Sequence, residues 1–130
     1  MDQFSGRMEQ MGKTVMIVDD QIGIRLLLEE IIKSEGHHVI HADNGKEALD
    51  KITNQAPDML MIDYKLPIVD GYKVLSEVEG QDMYIPTIVM SGLADEATKK
   101  TKDINMVEQV LAKPFNIEDV RIIIRELTVN

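Results

Sequence analysis

The chain has no cysteine and no tryptophan, and only two Phe and three Tyr among its 130 residues. Without Cys there is no disulfide, no thiol nucleophile and no Cys-based zinc or iron–sulfur site, which fits a reducing compartment. Basic residues are also scarce: 14 Lys and Arg stand against 23 Asp and Glu, a net charge of −9. That acid excess, with no basic run, argues against a nucleic-acid backbone as partner. No apolar run approaches the ~20 residues of a membrane helix. Met1-Asp2-Gln3-Phe4-Ser5-Gly6-Arg7 holds no apolar signal core, so a cytoplasmic protein is expected, neither exported nor membrane-bound. What remains is one domain's worth of chain, long enough to bury ~65–70% of its unfolded surface.

Residues 1–12 are polar and without apolar period, and read as a mobile extension ahead of a domain over 13–130. From Thr14 the pattern is regular. Thr14–Val18, His38–Ala42, Met59–Ile62, Ile85–Met90 and Val107–Ala112 are short apolar runs of the kind that strands buried on both faces require. Helical spacing separates them: Ile24, Leu28, Ile31 and Ile32 up to Gly36, then Ala48, Leu49 and Ile52 behind Asn44. Val74, Leu75 and Val78 follow Asp70, a polar stretch covers Asp95–Lys102, and Val120, Ile123, Ile124 and Leu127 follow Asn116. Asn44, Asp70 and Asn116 stand where N-caps belong. Alternating βα units of this kind predict an α/β fold, a doubly wound five-stranded parallel sheet covered by five helices. No output domain is expected after the fifth helix.

Ligands in such sheets bind beyond the carboxyl ends of the strands. There the apolar runs break at Asp19-Asp20, Asp63, Ser91-Gly92 and Lys113-Pro114, while Asp43 after the second strand falls further out. Any one Asp could simply cap the next helix; the set asks for more. Three crowded carboxylates repel one another unless a cation joins them. A hard divalent ion such as Mg²⁺ suits oxygen ligands and leaves room for water and a phosphate oxygen. One carboxylate can then act as nucleophile toward phosphorus. Lys113 and Ser91 would hold phosphoryl oxygens, and Gly92 would let a backbone N–H come close.

Val18-Asp19-Asp20, Asp63 with Leu66-Pro67 and Asp70-Gly71, Ser91-Gly92 and Lys113-Pro114-Phe115 resemble the receiver domain of bacterial response regulators. The resemblance covers about residues 13–128. It implies a flavodoxin-like sheet of order 2-1-3-4-5, with Asp63 as phosphoacceptor, Lys113 pairing the phosphate and Ser91 as switch hydroxyl. It implies Mg²⁺, with Mn²⁺ as substitute, on Asp20, Asp63 and the Lys65 carbonyl, with Asp19 acting through water. It also allows a cis Lys113–Pro114 bond. The run Ile17 to Arg25 and the Ala112–Phe115 end are similar to stand-alone receivers of sporulation phosphorelays. These are monomers that take a phosphoryl group from a sensor histidine kinase, pass it to a histidine phosphotransferase, and meet an aspartyl-phosphate phosphatase. On that likeness the partner-binding rim comprises Gln21, Ile22, Gly23, Ile24, Arg25 and Leu27, with Lys65, Leu93, Pro114 and Phe115. Lys65 and Leu93 also occupy positions that tune acyl-phosphate lifetime.

Departures from the family pattern bear on output. Ser91 and Gly92 replace the commoner Thr and Ala, and Asn105-Met106 replace small residues before the fifth strand. Val110 stands where many receivers carry an aromatic switch residue, which favours a relay over the alternative, an allosteric effector switched by phosphorylation. A haloacid-dehalogenase-like phosphatase would want an acid where this chain has Lys65. His37, His38 and His41 have no spacing for a metal triad and read as solvated or edge-strand residues. Met16, Met59, Met61 and Met90 read as core filler. Lys99, Lys100 and Lys102 read as a solvated helix face. At ~100° per residue, Ile22 and Leu26 fall opposite the core stripe of the first helix, where they could meet the helices of a partner.

Overall fold

The computed structural model describes residues 12–129, so nearly all of the expected N-terminal extension lies outside the described residues. Strands and helices alternate: β1 (Thr14–Val18), α1 (Ile22–Ser34), β2 (His38–Ala42), α2 (Gly45–Asn54), β3 (Met59–Asp63), α3 (Gly71–Gly80), β4 (Thr87–Ser91), α4 (Ala94–Thr101), β5 (Val107–Ala112) and α5 (Ile117–Thr128). The sheet runs β2-β1-β3-β4-β5 with every pair parallel. This is the doubly wound order expected from the family pattern.

Period-two alternation divides the central strands between two cores. Val15, Ile17, Met59, Met61, Ile88 and Met90 face α1 and α5, meeting Leu28, Ile31, Ile32, Val120, Ile123 and Ile124. Met16, Val18, Leu60, Ile62 and Val89 face the other way, against Ala48 and Ile52 of α2, Val74, Leu75 and Val78 of α3, and Ala97 of α4. The four strand methionines are fully buried, as expected of flexible core filler.

The caps fall where the sequence placed them. Asn44 accepts from the Glu47 N–H, Asp70 from Lys73, and Asn116 from Glu118 and Asp119. Gly36 leaves α1 at φ +90°, a conformation that favours glycine. β4 starts later than the apolar run suggests. Ile85 and Pro86 belong to its approach, where the Pro86 carbonyl accepts from the Leu60 N–H at 3.0 Å. The Asn105-Met106 departure has a structural role: Met106 is fully buried, its carbonyl accepts from Thr87 N–H at 2.8 Å, and Asn105 N–H donates to Glu79 at 2.7 Å. The histidines form no cluster: His37 Nδ1 accepts from the Lys13 N–H, His38 is exposed and His41 pairs with Glu29. Among the described residues no helix is long and apolar enough to cross a membrane.

Candidate active site

The parallel sheet brings the carboxyl ends of β1, β3, β4 and β5 to one edge, and the polar residues ending these strands meet there. Carboxylate oxygens of Asp19, Asp20 and Asp63 lie within 4.8 Å of one another. Lys113, after β5, spans the gap, its Nζ 2.7 Å from Asp19 Oδ2 and 3.1 Å from Asp63 Oδ2. The Lys113 N–H bonds the Ser91 carbonyl at 2.9 Å, which ties the lysine to the end of β4. The Lys113–Pro114 peptide is cis, as the family resemblance allows.

The three carboxylates are held very differently. Asp19 is fully buried, and each of its polar atoms has a partner. Its N–H donates to Ala42 O, its carbonyl accepts from Arg25 Nη1, Oδ1 accepts from Gln21 N–H, and Oδ2 accepts from Lys113. Asp63 is half-buried and shares Lys113, with a long 3.4 Å bond from the Lys65 N–H. Asp20 is exposed, and its carboxylate makes no hydrogen bond or ion pair with another described residue. Burial raises the Asp63 pKa, the Asp19 charge adds to that, and Lys113 only partly offsets them. Burial alone would depress the Lys113 pKa, but bonds and charge from Asp19, then Asp63, carry it above its ordinary value.

This donor set fits a hard divalent cation. It is all oxygen, it carries more negative charge than one ammonium neutralises, and its least satisfied member faces solvent. Ser91 is buried, its Oγ accepting from Leu93 N–H at 2.9 Å. Gly92 is exposed, and a Cβ there would meet nothing within 4 Å, so packing does not demand glycine. Asp43 stays outside the cluster, accepting from the Asn44 side chain beside the α2 cap.

The expected partner rim separates into inward and outward residues. Ile22 and Leu26 are 64% and 58% exposed, an i, i+4 apolar pair at the start of α1. Gly23, Lys65, Leu93 and Pro114 are also exposed, whereas Ile24, Leu27 and Phe115 are partly buried against the core. Gln21 turns toward the cluster, with Oε1 3.3 Å from Lys113 Nζ. Arg25 is half-buried and directed at the Asp19 carbonyl. Two glycines have a packing role that the sequence did not assign: Gly71, recognised only as part of the family motif, and Gly45, not singled out at all. A Cβ on Gly71 would lie 2.4 Å from the Asp63 carbonyl oxygen and 2.9 Å from that of Tyr64, and one on Gly45 would lie 1.7 Å from the Val69 carbonyl. The signal for both was a glycine in the first turn of a helix, directly after its capping Asp or Asn.

Residues 15–125 match the family described as "Response regulator receiver domain". The chain belongs to that family, whose members take a phosphoryl group onto an aspartate and bind Mg²⁺ through acidic residues. It is 36% identical over 112 residues to "Sporulation initiation phosphotransferase F" of Bacillus subtilis, covering 85% of this chain and 90% of that protein. It is 31% identical over 111 residues to the "Alkaline phosphatase synthesis transcriptional regulatory protein PhoP" of the same organism, spanning 46% of that protein's length. Among solved structures, the receiver domain of a Francisella response regulator superposes with TM-score 0.82 at 27% identity, covering 90% of this chain and 97% of that one. The chemotaxis response regulator CheY4 of Vibrio cholerae superposes with TM-score 0.80 at 25% identity, covering 89% and 98%.

Proposed function

We propose that this receiver is a phosphorelay intermediate, accepting a phosphoryl group on Asp63 from a sensor histidine kinase and passing it to a histidine phosphotransferase. The observation that carries this reading is the position of Asp63, half-buried at the end of β3 with Lys113 at 3.1 Å and two further carboxylates within 4.8 Å. An Asp63 oxygen forms a bond to phosphorus as the bond from phosphorus to the donor imidazole breaks, and the bond pair leaves with the imidazole. Lys113 follows the growing charge on one phosphoryl oxygen, moving from the carboxylate it holds at rest. The Ser91 hydroxyl donates to a second oxygen while still accepting from Leu93 N–H. Asp20, Asp63 and the Lys65 carbonyl, with Asp19 through water, would hold Mg²⁺, or Mn²⁺ in its place, which when bound would supply the remaining charge neutralisation. Transfer onward is the same exchange in reverse with a different imidazole.

Relay over allosteric output is supported by two features. Val110 is a half-buried aliphatic packed against the core, with no ring to swing on phosphorylation. The exposed Ile22 and Leu26 lie one turn apart at the start of α1, the helix that follows Asp20, an apolar pair of the kind that docks a partner helix. The similarity to a phosphotransferase of sporulation initiation agrees with this. The second reading, a phosphorylation-switched effector, draws on the transcriptional regulators among the relatives. One experiment separates them. Wild type labelled by acetyl phosphate should pass its label to a histidine phosphotransferase, and Asp63→Asn should take no label. Ile22→Ala with Leu26→Ala should slow the transfer at least tenfold while leaving acetyl phosphate labelling intact. Label retained on Asp63→Asn would overturn the acceptor; undiminished transfer by the double variant would overturn the docking face.

A further inference from the structure

Resting on that reading of the site, we infer that Arg25 is a positioning residue for the cation, acting through the backbone that carries Asp20. No other described residue holds the Asp20 carboxylate directly, so where it lies depends on the peptide that precedes it. The Asp19 carbonyl and the Asp20 N–H belong to one planar unit, and the direction of that carbonyl sets the direction in which Asp20 leaves β1. The carbonyl takes a 2.6 Å bond from Arg25 Nη1. The other Asp19 bonds hold its N–H and its carboxylate, and none of them constrains this carbonyl.

Arg25 is itself well placed to act as a brace. It leaves the first turns of α1 and is half-buried, and it lines a small recess of about 130 Å³ with His41, Asp43, Glu47 and Lys51 at the end of β2. Its side chain is therefore half-buried beside a recess between the helix and the neighbouring strand end. A planar fork with several N–H donors can keep one bond on a carbonyl while its other donors face that acidic recess. Two elements thus converge on one peptide group, β1 carrying it and α1 bracing it, beside the recess at the end of β2.

The sign of the effect distinguishes positioning from simple charge. Arg25 is a cation close to a cation site, so its removal on electrostatic grounds alone should tighten Mg²⁺ binding. If Arg25 positions Asp20, its removal should weaken binding. Partners that orient metal ligands from behind typically contribute ~10–100-fold in affinity.

The test titrates the full chain with Mg²⁺ alone by calorimetry, and with Mn²⁺ alone by loss of the free-ion EPR signal, without any phosphodonor. Arg25→Ala is expected to weaken both metals about tenfold, and Arg25→Lys, which keeps one donor and the charge, to recover most of the loss. Thermal melts in EDTA run alongside. Unchanged or tighter metal binding by Arg25→Ala overturns the inference, including when its melting temperature falls, since that pattern marks a purely structural bond. Asp20→Asn serves as the separate control. If it too binds Mg²⁺ like wild type, the metal reading of the site fails, a result distinguishable from failure of Arg25 alone.

Discussion

Removing Lys113 tests the electrostatics of the cluster directly. In Lys113→Met the side-chain volume is nearly kept, but the ammonium that lies 2.7 Å from Asp19 and 3.1 Å from Asp63 is lost. At an effective dielectric constant of about 20, those two attractions are ~6 and ~5 kcal/mol, while carboxylates no more than 4.8 Å apart repel by at least ~3.5 kcal/mol per pair. Desolvation of the ammonium offsets much of the attraction, so the gross sum is not the stability. What decides the outcome is that Asp19 is fully buried and, among the described residues, keeps only the Gln21 N–H on its carboxylate once the lysine is gone. Breaking a buried pair from one side costs about 3–5 kcal/mol, which for a domain of this size is a fall of roughly 10–20 °C in melting temperature.

The assay is thermal and urea unfolding followed by far-UV circular dichroism, in EDTA and again in excess Mg²⁺. Lys113→Met should lose 3 kcal/mol or more in EDTA. It should recover more on adding Mg²⁺ than wild type gains, because no ammonium competes for Asp19 and Asp63; saturation at about 100 times Kd is worth ~2.7 kcal/mol. Adding Asp19→Asn should restore stability in EDTA, a non-additive result expected of direct partners. A loss below about 1 kcal/mol in EDTA, or equal Mg²⁺ gains in variant and wild type, would refute this account of the site.

Asp63→Asn should stabilise the metal-free protein at pH 7. Burial raises the Asp63 pKa above 3.8, so the stability that its protonated form contributes is complete below that ordinary value and lost as pH rises through the raised one. The variant's advantage in denaturant midpoint should therefore shrink as pH falls from 7 toward 4, and a variant less stable than wild type at pH 7 would contradict it. Gly71→Ala should destabilise by about 1–3 kcal/mol, since its Cβ would press on the Asp63 and Tyr64 carbonyls; it should also slow acetyl phosphate labelling, whereas Gly23→Ala, with nothing within 4 Å, should leave stability unchanged.

The fold was legible because its determinants are local and redundant. Each strand is a short apolar run, and three helices open on an Asn or Asp that does cap them. The ends of those runs also announced Asp19, Asp20, Asp63, Ser91 and Lys113, since a polar residue closing a buried strand stands out. Less legible were features that depend on the third dimension. An arginine in an amphipathic helix reads as solvent-facing, and only the path of the β1–α1 loop reveals that Arg25 reaches the Asp19 carbonyl. Helix phase alone did separate Ile22 and Leu26, exposed as expected, from Ile24 on the core stripe; what it left open was how far Leu27 is shared between core and rim, and the structure packs it partly against the core. The sequence could not distinguish Gly71, whose absent Cβ leaves room for the Asp63 carbonyl, from Gly92, where packing imposes nothing.

The different ways in which the three carboxylates are held suggest a division of labour that residue type alone cannot. An aspartate bonded at every polar atom, as Asp19 is, cannot move or exchange partners without cost, so it suits the role of a fixed charge around which the others are arranged. One that shares a lysine and is partly open, as Asp63 is, can release that lysine to an incoming phosphoryl group and become the nucleophile. One that is exposed and without partners among the described residues, as Asp20 is, has no protein bond to break and is the natural point of entry for a cation. Lys113 links the first two by bonding both, so an ion or phosphoryl group arriving at Asp63 must alter what Lys113 holds, and with it the cation paired to the buried carboxylate of Asp19. Chemistry at the exposed edge is in this way coupled to the stability of the sheet beneath it.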